Sequence, residues 1–467
     1  MCCASSPGSA PRPVDEGSGD REPVSGPAGL SRDRPRVPGV VVACLALLAL
    51  AVPSSADAPD RNAIRQVYAA ARQAHEDADH PAFLLHSREL VALAPRSTLA
   101  RYNLACAQSL AGDGEGALAS LNQLADWEVV FDLAADPDFD PIRGTGGFRR
   151  VAARMAALEE PLGGSSVAFT VPERDLLAEG IGHDPESRAF FVTGVHRGKI
   201  VRVGAQGRVS DFVAEGQGGL FSAVGVVVDP GRRALWVATE AAPLMRGFRQ
   251  EDEGLSFLLE YGLDDGQLRR RLEPPVAEGR VSDLALGPEG TVYAADPRTG
   301  RVFRRRPGSD ALDVLVDEGP ILSAQGMTVT PDGRYLFVAD YLQGIARVDL
   351  DTREVLRLPT PDDLLTSGID GLVIAGDSLV GIVNGLRPHR VVRLRLDPSR
   401  SRVVEGTVLE RAHPLFDEPT LGVVVDGALH YVANSQYRHF DANGTPDLEQ
   451  LREPVILRLA LPWLSGP

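Results

Sequence analysis

Six stretches of the 467-residue sequence repeat one short plan, and a chain built that way has few folds open to it. The plan is a small or polar residue, a glycine, an alternating apolar strand, a D-P-x-x-x or P-D-G turn, and a second strand ending in V-A-D or similar. It reads AEGIGHDPESRAFFVTG from Ala178, SAVGVVVDPGRRALWVATE from Ser222 and VSDLALGPEGTVYAAD from Val281. It returns as SAQGMTVTPDGRYLFVAD from Ser323, GIDGLVIAGDSLVGIVN from Gly368 and EPTLGVVVDGALHYVANS from Glu418. Starts fall 42 to 59 residues apart, the period of four-stranded propeller blades. Most copies run on into a third strand such as GKIVRV or QGIARVDL. The expected fold is mainly β, a six-bladed β-propeller over 165–467. The sixth copy ends with PVILRLAL (454–461) and has no outer strand of its own. SSVAFTV (165–171) is expected to supply it, pairing antiparallel with 454–461 and leaving no long open edge.

The residues before the propeller divide in two. Residues 1–36 are rich in Gly, Pro, Ser and charge, too poor in apolar surface to order themselves. The apolar run at 37–52 follows three arginines and leads to the small-residue motif Ala56-Asp57-Ala58. It is short for a membrane span, so 37–58 reads as the apolar region and cleavage site of a signal peptide, with an uncleaved anchor as the rival. An exported protein, periplasmic or extracellular, is expected. Cys2, Cys3 and Cys44 would leave with the leader and Cys106 would stay alone, so no disulfide or zinc spacing exists. A net charge of −16 excludes nucleic acid and anionic membrane surfaces as natural partners.

Residues 61–160 carry helix formers with apolar positions three and four apart, predicting helices near 62–77, 81–94, 97–111 and 115–125, with shorter elements near 136–142 and 148–158. Large and small residues at Tyr102, Leu104, Ala105, Ala107, Gly112 and Ala117 resemble a tetratricopeptide repeat. About two repeats are present where arrays need about three. The segment is therefore either a partner-binding groove or, as favoured here, a helical cap docked on the propeller near its sixth blade.

In a propeller the first strand of each blade lines the central channel. The residue just before the shared glycine, or before its replacement, then points into one channel mouth. Around the ring this position holds Glu179, Val224, Asp283, Gln325, Asp370 and Thr420. Three carboxylates and an amide from four blades would converge there, and the carboxylates would repel and raise one another's pKa unless a hard cation joined them. Such a cation takes oxygen donors of these kinds. The competing reading is that Asp before Gly caps turns through local hydrogen bonds. Loops between second and third strands share that mouth and offer His196, Arg298, Asn384 and Asn434 as substrate contacts, although polar residues are ordinary in any surface loop.

These residues resemble the gluconolactonase and regucalcin (senescence-marker-protein) propellers over roughly 175–460. The likeness rests on AEG at 178–180, QGMTVTPDGRYLFVADY at 325–341, IDGL at 369–372 and YVANSQY at 431–437. It implies one divalent cation, often calcium, held at the mouth. Glu179 and Asp370 match the family's first-blade and fifth-blade ligands, and the latter is also the family's proposed catalytic base. Gln325 stands where the family has Asn, one methylene longer, and Asp283 where relatives often present Asn. The implied activity is metal-dependent hydrolysis of a small lactone or ester. The alternative is a non-catalytic scaffold with a structural metal or none. No G-x-S-x-G elbow, H-E-x-x-H helix or phosphate loop in strand–helix context competes.

Overall fold

A computed structural model describes residues 61–464. The leader and the apolar run at 37–58 lie outside the described residues. Among the described residues no helix is long and apolar enough to cross a membrane.

The strands form six four-stranded antiparallel sheets, one per repeat. Their innermost strands are Ala178–Asp184, Ser222–Asp229, Leu284–Leu286, Ala324–Val329, Ile369–Ala375 and Gly422–Val425, taken as blades 1 to 6. Five blades are built from consecutive strands. The sixth takes its outer strand from Ser166–Thr170, which pairs antiparallel with Val455–Ala460 in the register Ser166↔Arg458, Thr170↔Val455. The ring is closed as the sequence predicts. Apolar faces of neighbouring blades pack on each other: Trp236 of blade 2 and Phe303 of blade 3 share one buried cluster.

The repeat's polar letters are turn chemistry. In the D-P turn of blade 1, Asp184 accepts hydrogen bonds from the Glu186 and Ser187 amides, both at 3.2 Å, and from Ser187 Oγ at 2.7 Å. The aspartate closing the second strand ties that turn to its own blade. Asp296 accepts from the Arg298 amide (3.0 Å) and Thr299 Oγ1 (2.8 Å), and Asp340 from the Leu322 and Ser323 amides (2.9 and 3.2 Å).

The helical segment contains α1 (Arg61–Glu76), α2 (His80–Leu93), α3 (Thr98–Leu110), α4 (Gly114–Asp126), α5 (Asp140–Arg143) and α6 (Gly146–Ala157). Asp79, Ser97, Asp113 and Thr145 cap α2, α3, α4 and α6, each accepting from a backbone N–H three residues on. Ala105, Ala107 and Ala117 are fully buried, which lets α3 and α4 lie close. The segment docks on blade 5 rather than on the sixth. Leu121, Phe139 and Met155 belong to the same buried cluster as Phe337, Leu372, Leu379, Leu386 and Leu394. Val130 N donates to Arg387 O (2.8 Å), Arg390 Nη1 to Glu128 O (2.9 Å) and Trp127 Nε1 to Asp362 O (3.0 Å). The expectation of the sixth blade came from sequence proximity to the closing strand. An extended link through Leu162, bridged to Arg411 of blade 5, instead carries the chain one blade along.

Candidate functional site

The register that gathers the site has a steric cause. Gly180, Gly225, Gly326 and Gly371 each face the backbone of the next blade's inner strand. A Cβ would sit 2.5 Å from Val224 O, 2.4 Å from Ser282 O, 2.2 Å from Asp370 O and 2.5 Å from Thr420 O respectively. Only glycine lets the inner strands approach so closely. In these four blades the pairing of first and second strands also slips at this point, between Ala178 and Ile181, Ala223 and Val226, Ala324 and Met327, and Ile369 and Gly371. Such a bulge re-aims the side chain it carries. Blades 3 and 6 have Leu284 and Leu421 at the glycine position, and there the regular strand begins only after Asp283 and Thr420.

Glu179, Asp283, Gln325 and Asp370 are all buried, none more than 4% exposed. Burial raises the pKa of Glu179 well above the usual carboxylate range, and the charges of Asp370 and then Asp283 push it further. Burial, then the Asp370 charge, lifts Asp283 to about 8. Burial also raises Asp370, opposed by a hydrogen bond from Asn384. The three carboxylates thus share one electrostatic neighbourhood. Asp283 Oδ2 and Gln325 Nε2 are buried without a hydrogen-bond partner. An all-oxygen set with an orphaned carboxylate oxygen fits a hard divalent cation. The set is nevertheless open. Among the described residues only Cys106, Asp136 and Asp138 bring three such ligand atoms within 4.8 Å of one another. Those three belong to the helical segment, where Tyr102 and His75 bond the two aspartates.

Beneath the carboxylates the channel is lined mostly by aliphatic side chains. A cavity of about 300 Å³ is lined by Val226, Val228, Leu286, Met327, Ile374 and Val424, with Asp283 among its lining residues and His183 along the inner strand of blade 1.

The four residues expected to meet substrate fare differently. Asn384 Nδ2 donates to Asp370 Oδ2 (2.6 Å) and Tyr341 Oη donates to Asn384 Oδ1 (3.0 Å), so Asn384 orients the aspartate. Arg298 is exposed, and its charge reaches the partly exposed Glu240. His196 is buried, with Nδ1 bonded to Leu244 O at 2.7 Å, and so anchors the 241–255 loop. Asn434 uses both ends of its amide on backbone, donating to Glu453 O (3.1 Å) and accepting from Val455 N (2.6 Å). Two residues not singled out in the sequence belong here. Tyr437 is buried, its pKa raised by burial and then by the Glu179 charge, and packs with Leu177, Val195, Phe440 and Leu451. Glu240 lies in range of both Tyr437 and Arg280, its pKa raised by burial and lowered in turn by Arg280 and Arg298. Tyr437 follows the second strand of blade 6 and Glu240 closes the second strand of blade 2, and nothing in their sequence neighbours signals this placement.

No protein-family model matches the chain, and no curated protein does. Solved structures similar to it include a gluconolactonase from Xanthomonas campestris, at 14% identity and a TM-score of 0.45, covering 65% of this chain and 93% of that one. Another is regucalcin, a calcium-binding protein from Agrobacterium tumefaciens, at 16% identity and 0.44, covering 63% and 94%. A third is virginiamycin B lyase from Staphylococcus aureus, at 15% and 0.42, covering 62% and 83%. The propeller fold itself rests on the six sheets and their closure.

Proposed function

We propose that this chain hydrolyses a small lactone or ester at the channel mouth, with a divalent cation, Ca²⁺ first, as cofactor. The observation that carries this reading is the ring of Glu179, Asp283, Gln325 and Asp370, four buried oxygen donors from four blades with one carboxylate oxygen left unpaired. These four residues would hold the cation, Gln325 through its carbonyl oxygen. When bound, it would polarise the substrate carbonyl and stabilise the negative charge building on the carbonyl oxygen. Asp370 is the base. Its Oδ2 is fixed by Asn384, and it accepts a proton from the attacking water. Arg298, exposed at the rim, is the side chain free to orient a polar substrate. His196 and Asn434, bonded into the fold, hold loops instead. Export through the 37–58 leader belongs to the same reading.

The test is Ca²⁺-dependent turnover of gluconolactone and of aryl esters. Asp370→Asn should lower kcat by about 100-fold or more, the usual loss of a general base, with an unchanged circular dichroism spectrum. Equal turnover by wild type and variant, or none with any divalent cation, rejects the enzyme. The open spacing of the carboxylates and the Gln at position 325 favour a second reading, a non-catalytic scaffold whose tetratricopeptide-like helices meet a protein partner. A melting temperature unmoved by chelator or by Ca²⁺ would support that one.

A further inference from the structure

In each blade the inner strand starts at the mouth and the second strand runs back to it, so the loop between second and third strands rises beside the site. In blades 1, 3, 4 and 5 that loop is short, at 195–198, 296–301, 341–343 and 384–389. Blades 2 and 6 carry long ones, 241–255 and 433–454, and these two blades flank blade 1, the blade of Glu179. The two long loops meet over it. Gly444 is buried between exposed neighbours, and a Cβ there would lie 2.2 Å from Pro243 O. Leu244 packs against the cluster of Leu177, Val195, Tyr437, Phe440 and Leu451. His196, in the short loop of blade 1, holds both from below. Its Nδ1 bonds Leu244 O (2.7 Å), its carbonyl accepts from Arg246 N (2.8 Å), and its ring lies 5.0 Å from that of Phe440. The blade 6 loop also reaches inward to the inner strand, where Ser435 Oγ donates to Ala178 O (2.5 Å) and lies 3.4 Å from Glu179 Oε2. Each loop is stiffened within itself. Asp441 accepts from the Asn443 and Thr445 amides (2.9 and 2.8 Å), and Arg249 Nε donates to Asp252 Oδ2 (2.7 Å).

We propose that the joined loops of blades 2 and 6 roof the Glu179 side of the mouth and select substrates by size. The ester or lactone must be compact on the side that lies under the roof. It can be extended only towards blades 3, 4 and 5, whose loops are short. This rests on the hydrolase reading of the mouth and names the class of substrate within it. A lid that opens is attached at its ends alone. This one is held in its middle, by Gly444 against Pro243 and by His196 under Leu244, so it acts as a wall. The seam is made for close approach, because any side chain at 444 would meet backbone that cannot turn aside. A wall of this kind discriminates by clash with the wrong substrate rather than by attraction to the right one.

The experiment compares wild type, Gly444→Ala and Leu244→Ala, as full chains with Ca²⁺, on two esters. Phenyl acetate is extended on one side of the ester group and 1-naphthyl hexanoate on both. Gly444→Ala wedges a methyl into the seam, and Leu244→Ala removes the packing that closes it. Both variants should raise the ratio of kcat/KM for the larger ester to that for the smaller by about 10-fold or more, the scale of steric discrimination in a pocket. Limited trypsin digestion reads the seam without any turnover: cleavage after the exposed Arg246 and Arg249 should quicken in both variants. An unchanged ratio in loops that are cut faster overturns the size filter and leaves the hydrolase reading standing, as does a wild type equally fast on both esters. Unchanged cleavage in both variants overturns the seam. Loss of both activities, with both variants melting far below wild type, overturns the inference in favour of a structural role. A wild type that turns over neither ester overturns the hydrolase reading and this inference together.

Discussion

At the scale of single residues, the mouth is held at the expense of stability when no cation is present. Asp283 shows this most directly. It is buried, one of its oxygens lacks a partner, and burial with the Asp370 charge lifts its pKa from 3.8 to about 8. An acid whose pKa is raised on folding binds more protons in the folded state, so stability falls as pH rises through that window and stays low above it. Asp283→Asn removes the titrating group and keeps the shape. In chelator-treated protein the variant should match wild type near pH 4 and exceed it increasingly towards pH 8, by an amount on the order of 1–3 kcal/mol. Urea unfolding at several pH values measures it. A variant less stable than wild type at pH 8 would mean that Asp283 is already satisfied. With Ca²⁺ present the order should reverse, because the asparagine removes a charge from the cation's ligands.

At the scale of elements, the repeat was legible because its letters are turn chemistry and close approach, which act locally. Asp184, Asp296 and Asp340 each accept a hydrogen bond from a residue two or three places on, and such signals survive in a single sequence. The shared glycine is different in kind, since its reason lies in the neighbouring blade. Gly326→Ala would place Cβ 2.2 Å from Asp370 O and 2.6 Å from Leu372 N, atoms of backbone that cannot turn aside. It should destabilise the propeller by at least 1–3 kcal/mol, about the usual range for overpacking. Gly164→Ala, with nothing within 4 Å of the new methyl, should stay within about 0.5 kcal/mol of wild type. Equal unfolding midpoints for the two variants would remove the steric account of the register. What the sequence did not disclose is which loop residues are buried. Asn434 and His196 look like substrate contacts by position, yet backbone partners far along the chain claim them. Tyr437 looks like one polar loop residue among several until its neighbours are in place.

At the scale of the whole molecule, the question is whether the helices are a separate body. The helical periods were readable from the spacing of apolar residues, but the face on which they dock depends on surface that only the folded propeller creates. That surface is blade 5, whose second strand leads into the 384–390 turn. Val130 and Glu128 hold this turn through Arg387 and Arg390, and the same turn carries Asn384, the partner of Asp370. Arg390 is buried, and loss of hydration lowers its pKa to about 10, so its bond to Glu128 O is needed to keep the charge inside. Helices and blade therefore share one core, and a defect in either should be felt by both. Leu121 of α4 is fully buried in that core. Leu121→Ala should cost about 2–5 kcal/mol, the range for a leucine truncated in a packed interior. The loss should appear at the same denaturant concentration in the helical circular dichroism signal and in the fluorescence of a probe in blade 2, where Trp236 is buried. If the helical signal moved alone and the propeller kept its wild-type midpoint, the segment would be a tethered domain, and its hold on the Asn384 turn would have to be abandoned.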